Sequence, residues 1–67
     1  MKISEKMKLV RERLNLSQEA LSREIGVSFA TINRIEKGKT LPCYQTLQSF
    51  DLFCNKHKKD LEGLLDD

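Results

Sequence analysis

Few side chains in this sequence suit covalent or metal chemistry, and they do not cluster. Cys54 and His57 stand three apart, so a continuing helix places both on one face and invites a metal or nucleophile reading. A metal site needs three or four ligands at a recognisable spacing, and only Cys43 is at hand to join them. A nucleophile pair needs a pocket and an oxyanion hole, for which 67 residues leave scant room. The sequence therefore implies no metal, no cofactor and no catalysis, and both cysteines read as reduced and packed. The stronger concentration is of groups that recognise by hydrogen bonding and charge. On a helix opening after Ser28, with Ile32 and Ile35 turned inward, the free face carries Phe29, Ala30, Asn33, Arg34 and Lys37. A carboxamide beside a guanidinium offers directional donors and an acceptor, and Lys37 and Lys39 flank Gly38 with two ammonium groups. Such a face suits a polyanion, although two lysines by themselves also fit a solvated basic turn.

The elements that must hold this face are all helical. No stretch alternates apolar and polar residues for long, and the one Pro and three Gly punctuate segments of helical period. Ile3, Met7, Val10 and Leu14 predict a first helix over roughly Ser4 to Leu14, capped by Ser4 and stopped by Asn15. Ser17 caps a second helix of about eight residues with Ala20, Leu21 and Ile25 on one face, and Gly26 ends it. Ser28 caps a third, closed by Gly38. Pro42 suits the start of a fourth, from about Cys43 to Asn55, with Leu47, Phe50 and then Phe53 or Cys54 inward. Leu61, Leu64 and Leu65 predict a last short helix, weakened by about 1 kcal/mol by Gly63. The expected fold is an all-α, compact five-helix bundle in one domain over residues 1–67, with C-terminal helices at about 43–66.

Composition narrows the class. With 39% hydrophobic and 33% charged residues the chain is neither a disordered polyelectrolyte nor a membrane protein. No apolar run approaches a membrane span and no leader pattern opens the sequence, so a cytoplasmic location and no membrane partner are expected. The net charge of +2 conceals an asymmetry: residues 1–42 hold nine basic and five acidic groups, and the remainder three basic against five acidic. The basic part coincides with the segment that carries Asn33, Arg34, Lys37 and Lys39.

Two capped short helices meeting across Gly26-Val27-Ser28 form a helix-turn-helix pattern at about residues 17–37, since the second helix must leave the first at a large angle. The series Ser17-Gln18, Leu21, Gly26-Val27-Ser28, Ile32, Ile35-Glu36 and Gly38-Lys39 resembles the phage-repressor-like (XRE-type) helix-turn-helix family over residues 5 to about 50. That resemblance implies a lambda-repressor-like fold whose third helix lies in the DNA major groove. It makes Ser28, Phe29, Ala30, Asn33 and Arg34 the base-reading candidates, and Gln18, Lys37 and Lys39 the phosphate contacts. Arg34 suits guanine O6 and N7 or a phosphate clamp, Asn33 suits adenine or a phosphate, and Phe29 and Ala30 suit thymine methyl groups. Phe29 folded back against the first helices is the alternative. Arg11 and Glu36 lie at the edges of apolar stripes, and the resemblance implies a structural ion pair between them.

Two functions from different classes follow. The first is a sequence-specific, double-stranded DNA-binding transcriptional regulator, a repressor acting as a homodimer on a two-fold operator, in a prokaryotic or phage setting and nucleoid-associated when bound. The second is a protein-interaction module, an antitoxin or anti-repressor, that binds a protein partner and DNA only secondarily. Both exclude an enzyme.

Overall fold

The computed structural model describes residues 1–64 and contains four helices among them: α1 (Ile3–Arg13), α2 (Gln18–Ile25), α3 (Phe29–Glu36) and α4 (Tyr44–Lys56). The described residues contain no strand. Helix α1 begins slightly earlier than its periodicity suggests. Lys2 is the N-cap, and the Lys6 amide donates to the Lys2 carbonyl at 2.9 Å, so Ser4 falls inside the first turn instead of capping it.

The first three helices end alike. After α1, α2 and α3 the chain turns left-handed at Asn15 (φ 55°), Gly26 (φ 76°) and Gly38 (φ 74°). In each case the next amide donates back five residues: Leu16 to Arg11, Val27 to Ser22 and Lys39 to Arg34, at 2.9, 3.0 and 3.0 Å. After α1 and α3 these are Schellman closures, in which two returning amides satisfy two carbonyls the helix cannot serve, and after α2 the Gly26 and Val27 amides both return to the Ser22 carbonyl. The next helix restarts at once: Ser17 Oγ accepts from the Ala20 amide at 3.0 Å and Ser28 Oγ from the Thr31 amide at 3.1 Å. Gly26 matters most here, because α2 and α3 are separated by only Gly26, Val27 and Ser28 and the corner needs its positive φ.

Helix α3 packs against α2 and α1, and α2 also packs on α4. The core at their junction consists of Met7 and Val10, Leu21 and Ile25, Ile32 and Ile35, then Phe50, Phe53 and Cys54, joined by Leu61. Two helices of eight residues are marginal alone in water, so it is this shared apolar contact that holds α2 and α3 in place.

The fifth helix does not form among the described residues. From His57 to Leu64 the chain runs in successive turns. Its bonds are mostly of three-residue span: Lys58 to Asn55, Glu62 to Lys59, and Leu64 to Leu61. Gly63 adopts φ 83°, outside the helical region. The Asp60 and Glu62 carbonyls accept from the Arg13 guanidinium at 3.2 and 3.4 Å, which ties the segment to α1. Leu61 reaches the core through this turn, whereas Leu65, expected in the same stripe, lies outside the described residues together with Asp66 and Asp67.

Candidate nucleic-acid interface

Burial divides α3 cleanly. Ile32 and Ile35 are fully buried, while Ser28, Phe29, Ala30 and Arg34 are exposed and Thr31 and Asn33 are half-buried. Phe29 is 51% exposed and therefore projects from the surface instead of folding against the first helices. The Ser28 hydroxyl is occupied twice, by the Thr31 amide and by the Thr31 hydroxyl at 2.9 Å. Beyond α3, Lys37, Gly38 and Lys39 are all exposed. Lys37 and Gly38 line an open cleft with Lys2 and Ile3 from the start of α1. Lys2 thus joins the basic face. Its place 35 residues from Lys37 gave no sign of that in the sequence.

Arg11 and Glu36 meet across the bundle. The guanidinium donates from Nε to Glu36 Oε2 at 2.8 Å and from Nη2 to Oε1 at 3.0 Å, a bidentate pair with both side chains largely withdrawn from water. Arg11 also donates from Nη1 to the Leu16 carbonyl at 3.0 Å, so the same residue's carbonyl and side chain both hold the turn after α1. The hydrogen bonds to Glu36 push the Arg11 pKa above its ordinary value despite partial desolvation.

Glu36 does not end the chain of contacts. Gln18 Nε2 donates to Glu36 Oε1 at 3.0 Å, and Asn33 Nδ2 donates to Gln18 Oε1 at 3.1 Å. Arg11, Glu36, Gln18 and Asn33 therefore form one hydrogen-bonded line from α1 through α3 and α2 back to the outer edge of α3. The resemblance makes Gln18 a phosphate contact and Asn33 a base-reading candidate, and no spacing in the sequence implies that the two bond to each other from 15 residues apart. No buried side-chain nitrogen or oxygen among the described residues lacks a partner.

The remaining reactive groups lie elsewhere. Cys54 is buried in the core, where desolvation raises its thiol pKa. His57 packs at a tilt against Phe53, with ring centroids 4.6 Å apart, and faces Asp60 at 3.6 Å. Cys43 is exposed at the N-cap of α4, and a hydrogen bond with Thr46 lowers its pKa. No helix among the described residues is long and apolar enough to cross a membrane.

Comparison with known proteins agrees with this geometry. A family model described as helix-turn-helix matches residues 7–61, from the middle of α1 to Leu61. No curated protein and no solved structure matches the chain.

Proposed function

The chain belongs to the XRE-type helix-turn-helix family of DNA-binding regulators, and from that premise we propose that it is a transcriptional repressor acting as a homodimer on a two-fold operator. Helix α3 enters the major groove. Ser28, Phe29, Ala30, Asn33 and Arg34 face the bases there, while Gln18, Lys37 and Lys39 hold phosphates on either side.

The observation that carries this reading is the division of α3, with Ile32 and Ile35 fully buried and Phe29 half exposed on the opposite side. A helix of eight residues so anchored presents a rigid outer face with one guanidinium, one carboxamide and one aromatic ring. Flanking lysines add sequence-independent attraction, and the second N–H of Gln18 is free for a phosphate because only one is committed to Glu36.

Two considerations support a dimer. The described residues span 28 × 22 × 21 Å, less than the roughly 34–36 Å between major grooves one turn apart, so two half-sites call for two copies. Tyr44 and Leu52, eight residues apart on α4, are 72% and 69% exposed, two large side chains that a second copy would cover.

Selection of binding sites from random duplexes, followed by salt titration on the winning duplex, tests the reading. A two-fold site and a steep loss of affinity with salt are expected, with Lys39→Ala lowering the log–log slope by about 1 on every sequence. Arg34→Ala relaxes the preference at one base pair per half-site. Absence of both duplex affinity and site selection at physiological salt refutes it and favours the protein-interaction module.

A further inference from the structure

We propose that the buried Arg11–Glu36 pair dictates, through Gln18, which edge of the Asn33 carboxamide faces outward, making Asn33 a preset reader of adenine and Gln18 its positioning residue. The inference rests on the DNA-reading function proposed above.

The argument is one of hydrogen-bond polarity. A guanidinium only donates and a carboxylate only accepts, so the first link, Arg11 to Glu36 at 2.8 Å, has one possible direction. A carboxamide has a donor end and an acceptor end, and its orientation follows from its partners. Against an acceptor-only Glu36, Gln18 must present Nε2, which turns Oε1 to its other side. There Oε1 accepts from Asn33, which must in turn present Nδ2 to it. Three links thus convert a fixed charge on α1 into a fixed orientation of one amide on α3.

The consequence for Asn33 is specific. Its Oδ1 accepts no bond from the described residues, and no half-buried or buried side chain there keeps a partnerless polar atom out of reach of solvent, so Oδ1 lies at the surface. Nδ2 has two hydrogens and has committed one of them to Gln18. What Asn33 has left to offer is an acceptor at the surface and one uncommitted donor, the pair that matches adenine N6–H and N7. Guanine offers two acceptors at its edge and mismatches the outward Oδ1. Orientation fixed before binding also removes the freedom of an amide that would otherwise turn to suit either base.

The test compares the wild-type protein with Asn33→Ala, Gln18→Met and Glu36→Gln by selection from random duplexes, then by affinity for the selected duplex with each base pair replaced in turn. For the wild type, one adenine per half-site discriminates by about 5- to 150-fold against guanine, and Asn33→Ala abolishes that discrimination. Gln18→Met keeps the ion pair and the side-chain length but removes both amide links, and the adenine preference falls to within about threefold. Glu36→Gln replaces an acceptor-only group by one that also donates, so guanine gains relative to adenine. A second readout needs no DNA. In the free protein the Asn33 Nδ2 hydrogen held by Gln18 exchanges more slowly than the outward one, and in Gln18→Met the two exchange alike.

A purely structural Gln18 would weaken all sequences by one factor and leave the adenine preference intact, which overturns the proposal. Equal, fast exchange of both Asn33 Nδ2 hydrogens in the wild type overturns it too. Failure of the wild type to select any duplex overturns the DNA-reading function and this inference with it, whereas selection indifferent to Asn33 and Gln18 overturns the inference alone.

Discussion

Replacing Glu36 by alanine removes the acceptor for three donors at once: Arg11 Nε and Nη2 and Gln18 Nε2, at 2.8, 3.0 and 3.0 Å. The Arg11 side chain is 15% exposed and keeps only the Leu16 carbonyl, so its charge is left largely buried without a counter-ion. Breaking a fully buried pair in this way costs about 3–5 kcal/mol. The exposed edge of the guanidinium lets water reach it, which puts the expected loss near the lower bound, about 3 kcal/mol. For a chain of this size that corresponds to a fall in Tm of about 12–24 °C. A core this small rarely supplies more than about 3–5 kcal/mol, so urea titrations followed by far-UV circular dichroism should be run in trimethylamine N-oxide to keep the variant's folded baseline. The companion Arg11→Met, Glu36→Leu double variant separates burial from attraction. With neither charge present, stability should return to within about 1–2 kcal/mol of wild type, the remainder being the lost bond to the Leu16 carbonyl. A loss under about 0.5 kcal/mol for Glu36→Ala, the range of an ordinary surface change, refutes the reasoning.

Other perturbations probe separate features. Gly26→Ala meets no atom within 4 Å, so only its φ of 76° penalises it, and denaturant titration should give a loss of about 1–2 kcal/mol. An equal or greater stability would remove the need for a left-handed corner. Phe29→Ala should leave the melting temperature nearly unchanged, because the ring is 51% exposed, while lowering affinity for the selected duplex; a large drop in Tm would place the ring in the core instead. With iodoacetamide at mildly alkaline pH, peptide mapping should find Cys43 alkylated well before Cys54, since the first thiol is exposed with a lowered pKa and the second is buried with a raised one. The same raised pKa makes the folded state retain a proton that the unfolded chain releases. Stability from Cys54 is therefore complete below the ordinary thiol range and declines as pH rises through it, and a Cys54→Ala variant should lose that alkaline slope.

The parts of this molecule legible in the sequence are those specified by neighbours in the chain. Ser17 and Ser28 accept the amides their positions promise, and Asn15, Gly26 and Gly38 turn left-handed where the apolar stripes stop. The inward face of α3 could be read because Ile32 and Ile35 lie three apart on a helix whose limits were already marked. Where a local signal competes with a distant one, reading by neighbours fails. Leu61 and Leu64 promise a helix, yet Gly63 turns left-handed at φ 83° and the Asp60 carbonyl accepts from Arg13, 47 residues earlier in the chain. The resemblance supplies the Arg11–Glu36 link, but its continuation through Gln18 to Asn33 is invisible for the same reason, since those links join residues 18 and 15 apart and no periodicity relates them. That separation has a physical consequence. Glu36 serves both the bundle and the outer face of α3, whereas Gln18→Met touches only the second, because the Arg11–Glu36 bond survives it. Stability and base preference should then fall together in Glu36 variants and come apart in Gln18 variants, so the pattern of loss across the two positions distinguishes an anchored scaffold from an oriented reading head.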